Sequence, residues 1–170
     1  CVIEKDLYEK LRPRRLSVEM LAANHGKGTT YYQEACRYWV KAFDRLPAFK
    51  RNGKRVMPPH GRTIRFPSLP ASGFVTCLLN SSLFYWYYSA FSDCEHINDL
   101  LIRKFRVPDD WERTGWTGLC GTLVGKLLED ATRKTIKTKQ GHTIEYEEIN
   151  VALAKTMIDR IDFELAKHYG

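Results

Sequence analysis

The spacing of apolar residues changes character three times along this chain, and each change predicts a different kind of element. From Thr30 to Phe66, short apolar runs are punctuated by turn residues, which predicts strands and tight connections. In Arg62-Thr63-Ile64-Arg65-Phe66, Ile64 and Phe66 fall on one face while Thr63 and Arg65 take the other, the two-residue repeat of a strand. Upstream of it, Asn52-Gly53 predicts a type I′ hairpin turn, because both residues tolerate positive φ. Pro58-Pro59 and Gly61 then break the chain before the next strand.

From Phe74 to Phe91 the alternation stops. Thirteen of these eighteen positions are apolar, enough to raise the question of a membrane span. The run includes five consecutive aromatics, Phe84 to Tyr88. Its middle is Asn80-Ser81-Ser82, whose amide and hydroxyls would be costly in hydrocarbon, and no second run resembles it. The expectation is therefore one buried helix from Gly73 to Phe91, capped by Ser72 and covered on several sides.

The third pattern is helical. Leu119, Leu123 and Leu127, with Val124 and Leu128 beside them, predict an amphipathic helix ending near Arg133-Lys134, where cations suit the helix dipole. Thr135 to Glu145 predicts a basic loop or hairpin around Gln140-Gly141. A stripe of Ile149, Leu153, Met157, Ile161, Leu165 and Tyr169 predicts a last helix packed on the core. At the other end, residues 1–12 read as a connector helix ended by Pro13, and Ser17 to Ala23 as a short apolar piece. Gly26-Lys27-Gly28 lacks the strand-to-helix setting of a nucleotide-binding loop. The fold class expected is α+β. Residues 1–28 are a linker or connector, and residues 29–170 form one domain with a strand-rich first half, a buried central helix and C-terminal helices.

A chain of 170 residues with 44% hydrophobic content can build one real core. It begins with Cys and stops just after a helical pattern, which reads as a piece of a longer protein. Its five cysteines contain no Cys-x-x-Cys pair, which argues against zinc, and their odd number suits reduced thiols in a cytoplasm. The first residues are charged throughout, unlike a signal peptide.

Charge changes the picture more. The formal net charge is +7, and residues 26–66 alone carry +8, against +1 before them and −2 after. A basic block serves either a polyanion or a solvated face, and composition leaves the two readings level. Aromatics interleaved with the cations (Tyr31, Tyr32, Tyr38, Trp39, Phe43) favour nucleic acid modestly, although several must also build core. The sharpest local feature is Lys50-Arg51-Asn52-Gly53-Lys54-Arg55, a hairpin tip with four cations and no acid in that run.

Catalytic motifs are absent. The one Pro-Pro pair, in Met57-Pro58-Pro59-His60, lacks the flanking amide and aromatic that grip a flipped adenine in methyltransferase loops. No Glu is followed two residues later by Lys, as a metal-dependent nuclease signature would require. The five histidines are scattered beside turns or helix ends with no nucleophile next to them in sequence, so each is expected at the surface.

Four stretches carry a resemblance. Leu78-Leu79-Asn80-Ser81-Ser82-Leu83-Phe84-Tyr85-Trp86-Tyr87-Tyr88 resembles the central helix of the C-terminal specificity domain of TaqI-like and Eco57I-like adenine-specific DNA methyltransferases of type II restriction–modification systems. Tyr31-Tyr32-Gln33-Glu34-Ala35 with Tyr38-Trp39-Val40 resembles that domain's tyrosine-rich opening, and Leu46-Pro47-Ala48-Phe49 the proline-phenylalanine piece after it. Ile158-Asp159-Arg160-Ile161-Asp162 through Tyr169-Gly170 resembles its closing helix. The resemblance spans residues 29–107 and 144–170. Asp93-Cys94-Glu95-His96-Ile97-Asn98 departs from the glycine-containing version.

The resemblance implies a non-catalytic target-recognition domain that binds double-stranded DNA in the cytoplasm, without a membrane. A catalytic domain of the same polypeptide would bind S-adenosylmethionine and methylate adenine. No cofactor or metal is expected in this segment. The candidate DNA contacts are Lys27, Arg37, Lys41, Lys50, Arg51, Lys54, Arg55, Arg62 and Arg65, with Tyr31 and Tyr32 as packing or base contacts. Two other readings stay open: an interaction module docking on a methyltransferase domain, and a general single-strand or RNA-binding domain.

Overall fold

The computed structural model describes residues 2–36 and 39–170. Helix α1 (Val2–Leu11) stops two residues before Pro13, which has no N–H to continue it. Strand β1 (Leu16–Ser17) and the single turn α2 (Val18–Leu21) follow. Next come β2 (Gly28–Gln33), β3 (Ala42–Phe43), the hairpin β4 (Phe49–Arg51) and β5 (Lys54–Arg55), and β6 (Gly61–Phe66). The second half holds α3 (Leu69–Leu79), α4 (Ser82–Phe91), α5 (Asp99–Lys104) and β7 (Arg106–Val107). It continues with α6 (Trp116–Glu129), a hairpin of β8 (Thr132–Lys137) and β9 (Thr143–Glu148), and α7 (Lys155–Tyr169). The fold is α+β, with three small antiparallel sheets: β1–β7, β3–β2–β6 and β5–β4–β9–β8.

The expected single helix from Gly73 to Phe91 is two helices. Ser68, not Ser72, caps the first, accepting from the Ala71 N–H at 3.4 Å. Ser72 lies one turn inside, where its hydroxyl donates to the Leu69 carbonyl. The polar triplet ends α3 and starts α4. The Ser81 hydroxyl accepts from the Phe84 N–H at 3.1 Å and donates back to the Leu78 carbonyl at 2.6 Å. Asn80 leaves the helix axis to hold β3: its Nδ2 donates to the carbonyls of Ala42 (2.8 Å) and Thr76 (2.9 Å), and its Oδ1 accepts from the Ala42 N–H.

All-round apolarity of α3 follows from its position, since every residue from Ala71 to Leu79 is buried. One side packs on β2, where the buried Thr30 hydroxyl bonds the Ser72 carbonyl and the Thr76 hydroxyl. The other side packs on α6, and Gly73 allows the approach: a Cβ there would sit 3.0 Å from the Trp116 backbone. Helix α4 is amphipathic, burying Phe84 and Tyr88 one turn apart while Phe91 stays 49% exposed.

Segments expected as connectors belong to the core. Leu11 and Val18 are buried, and β1 pairs with β7 some ninety residues on. The glycines of the Gly26-Lys27-Gly28 loop are steric: a Cβ on Gly26 would lie 2.0 Å from the Phe66 carbonyl oxygen, and one on Gly28 2.3 Å from that of Ser68.

In the second half, α6 ends at Glu129, and Arg133-Lys134 belong to β8 rather than to a helix C-terminus. The last helix starts at Lys155, after a 3₁₀ turn over Val151–Ala154 whose first N–H groups are met by Asn150. That turn moves Leu153 off the buried stripe to 52% exposure, while Met157, Ile161, Leu165 and Tyr169 stay buried. Among the described residues no helix is long and apolar enough to cross a membrane.

Candidate nucleic-acid interface

The β5–β4–β9–β8 sheet differs from the other two in having no buried residue. All six residues of β8 are exposed, and those of β9 are at most half-buried. Only its root, around Phe49 and Tyr146, faces the body, across a cleft of about 320 Å³ from Tyr31 and Phe43. The sheet is therefore an arm, built from two hairpins nearly ninety residues apart in sequence.

Both hairpin tips lie at the free end, because Arg51 pairs with Ile144 at the start of β9. The Asn52-Gly53 turn takes φ values of 51° and 76°, as a type I′ turn requires. The second hairpin closes over Thr138–His142, with Gly141 at φ 80° and its N–H donating to the Thr138 carbonyl. Asn52 bolts the tips together: its Oδ1 accepts from the Thr143 N–H at 2.9 Å, its Nδ2 lies 3.0 Å from His142 Nδ1, and its own N–H donates to the Thr143 carbonyl.

Charge is polarised along the arm. Toward the root, Lys50 pairs with Glu145 at 3.7 Å and Lys134 with Glu148 at 2.7 Å, while Glu147 accepts from the Ala48 N–H. At the free end Arg51, Lys54, Lys137 and Lys139 are exposed, and none forms an ion pair with another described residue. The tip thus offers four uncompensated cations, two from each hairpin.

The structure divides the sequence-predicted residues. Arg51 and Lys54 reach the tip. Lys50 sits lower and, contrary to the local sequence, has an acidic neighbour supplied by β9. Arg55 donates to the Leu46 carbonyl at 3.2 Å on the flank of the arm. Arg62 is on the body sheet and held by Glu34 at 2.8 Å. Lys27 and Arg65 occupy the opposite end of the β2–β6 pair, where Thr29 faces Arg65. Lys41 lines both the root cleft and a neighbouring cavity. Arg37 lies outside the described residues, as does Tyr38.

Tyr31 and Tyr32 are corrected as base contacts: both are fully buried, leaving no ring face for a nucleotide. The Tyr31 hydroxyl donates to Gln33 and that of Tyr32 to Asp99 at 3.0 Å. Burial pushes the Tyr31 phenol up to about 12. Tyr32 is raised further, by burial and then by the Asp99 carboxylate. Their role is core packing.

Sequence reasoning missed Lys137 and Lys139 as candidate contacts. The basic hairpin around Gln140-Gly141 was visible, but its pairing with β4 through β9 is a long-range contact that no local pattern announces.

A second polar cluster corrects the expectation of surface histidines. His168 is buried, with its Nδ1 3.0 Å from Asp110 Oδ1 and its Nε2 2.8 Å from the Thr114 hydroxyl. The hydroxyl–imidazole–carboxylate order is that of a hydrolase triad. Here the His168 side chain is only 5% exposed and Thr114 already occupies its Nε2, so the cluster ties the end of α7 to the turn before α6. The His168 hydrogen bond holds the Asp110 carboxyl below its ordinary value. A depressed carboxylate stabilises the fold above its unfolded value of about 3.9, and that contribution is lost as pH falls through the folded value. Urea midpoints measured from neutral pH down to about pH 3 are expected to fall more steeply for the parent than for Asp110→Asn. Parallel curves would contradict the assignment.

Compared with known proteins, the chain matches no family model, no curated protein and no solved structure. Among the described residues no group of His, Cys, Asp or Glu could hold a metal ion.

Proposed function

We propose that this domain binds duplex DNA through the tip of its two-hairpin arm. It acts in the cytoplasm as the target-recognition part of a site-specific adenine DNA methyltransferase of a restriction–modification system. The observation that carries the DNA reading is the gathering of Arg51, Lys54, Lys137 and Lys139 at one end of a sheet bound to the body only at its root. Cations along the end of the sheet neutralise phosphates, and an arginine at its tip can reach a guanine edge in the major groove. The methyltransferase assignment draws on the resemblance of the Leu78–Tyr88 segment and the three stretches in order around it. In that reading S-adenosylmethionine and the methyl-transfer chemistry belong to a catalytic domain of the same polypeptide.

Burial of Tyr31, Tyr32 and Phe43 removes three of the five interleaved aromatics that favoured a single-strand or RNA-binding domain, and half-buried Trp39 lies at the root of the arm, away from its cations. The docking reading keeps one supporting observation, the apolar groove where Leu83 and Trp86 of α4 meet Leu165 of α7. It and DNA binding use different faces.

Fluorescence anisotropy separates the readings. The domain is expected to bind a duplex more tightly than either of its strands, and selection from a randomised duplex pool should enrich one short motif. Equal affinity for single strands, or selection without enrichment, would overturn the proposal.

A further inference from the structure

A cavity of about 740 Å³ lies at the root of the arm and away from its cationic tip. It forms where Ala35, Trp39 and Lys41 meet the chain that leaves β9 and enters α7. Its volume falls within the range of small-molecule sites, roughly 300–1,000 Å³.

The lining has two parts. Trp39, Ile149, Val151 and Ile158 give it an apolar wall. The indole is fixed in place: it stacks on Tyr85 with centroids 4.5 Å apart and planes at 18°, and its Nε1–H donates to the Asn80 carbonyl at 3.2 Å. With its one donor committed, the half-buried ring has only π surface to offer the cavity. Lys41 and Lys155 supply the cationic part. Lys155 shares its charge with Asp159, whereas half-buried Lys41 pairs with no acid among the described residues. Asn150 Oδ1 is taken by the Ala152 N–H at 3.1 Å, so the amide presents its Nδ2 donor. Among the described residues the site therefore combines a flat fixed platform with hydrogen-bond donors and one cation that has no ion-pair partner.

We infer that this cavity is a binding site for a small aromatic anion, a flat ring system carrying a single phosphate, sulfonate or carboxylate group. The ring lies against Trp39 and the aliphatic wall, and the anionic group meets Lys41. Nucleoside monophosphates and aryl sulfonates are both of this class. The inference stands independently of the DNA reading, because no residue of the arm's tip lines the cavity.

Isothermal titration calorimetry with adenosine monophosphate, adenosine and naphthalenesulfonate tests it on the whole domain. One site per chain is expected for at least one of the two anions. If the nucleotide binds, adenosine should be at least about tenfold weaker, since it lacks the charge that Lys41 meets. Lys41→Met keeps the aliphatic stem, and should bring a bound anion down by a similar factor while leaving adenosine unchanged. Ala152→Trp puts an indole into the cavity from an exposed lining position, and should abolish binding with an unchanged thermal midpoint. If that variant fails to fold, Lys41→Met still decides. The inference is overturned if neither anion binds below about 1 mM, if Lys41→Met leaves anion affinity unaltered, or if folded Ala152→Trp binds as the parent does.

Discussion

Asn80→Ala is expected to destabilise the domain by about 3–5 kcal/mol, although it removes only one amide and creates no charge. Asn80 is fully buried, and its side chain meets both backbone groups of Ala42, which is itself fully buried. Ala42 stands opposite Tyr32, one residue along from the hydrogen-bonded Gln33–Lys41 pair, so its own N–H and carbonyl point away from β2. Truncation leaves a buried N–H and a buried carbonyl unmet, at roughly 1–3 kcal/mol each, and opens a small void between α3 and β3. Against a total domain stability of about 5–15 kcal/mol, this is a large fraction. The Asn80 carbonyl also accepts from Trp39, so a shift here is expected to loosen that indole. Urea denaturation followed by tryptophan fluorescence measures the loss. Asn80→Asp should do no better, because it keeps the acceptor but loses both donors and buries a charge. A midpoint within error of the parent's would show that β3 is not held this way.

The same residue shows where sequence reading reached its limit. Apolarity made the Phe74–Phe91 segment legible as the centre of the fold, and burial of Ala71 to Leu79 agrees with that. The break at Asn80-Ser81 was not legible, because a polar triplet in an apolar run fits a capped junction as well as buried side-chain bonding along one helix. Hydrogen bonding to β3 decides between them, and β3 lies nearly forty residues upstream. The alternation in Arg62–Phe66 and the Asn52-Gly53 turn were readable because both are local: a two-residue period fixes the face, and positive φ selects the residues. The arm was only half readable. Its first hairpin announced itself, but the acid that neutralises Lys50 and the cations that reinforce Arg51 arrive through the β8–β9 hairpin. Tyr31 and Tyr32 were left between packing and base contact for a related reason. Tyrosines beside cations suit a nucleotide surface or a core edge equally, and only the packing of α3 on β2 puts them inside.

The largest functional effect is expected from replacing Arg51, Lys54, Lys137 and Lys139 together by Ala. Each phosphate contact contributes roughly −0.9 to the slope of log affinity against log salt, so losing four should flatten it by about 3–4 units. At about 0.1 M salt each contact supports somewhat less than tenfold in affinity, and the combined loss should be on the order of 10³. All four residues are exposed, so the thermal midpoint should stay close to the parent's. Division between the hairpins adds a sharper test. Arg51 and Lys54 lie across one turn while Lys137 precedes the other and Lys139 lies within it, so each pair alone should account for about half the change in slope. A tip that reads bases through Arg51 would show it differently, since Arg51→Ala alone would cost about 1–3 kcal/mol on the preferred site and much less elsewhere. Lys27→Ala with Arg65→Ala is the control, removing two cations from the far end of the β2–β6 pair. That variant should leave the slope nearly unchanged if the arm tip is the interface. The opposite result, a flattened slope in the control and an unaltered one in the quadruple variant, would move the interface to the body sheet and leave the arm tip a solvated surface.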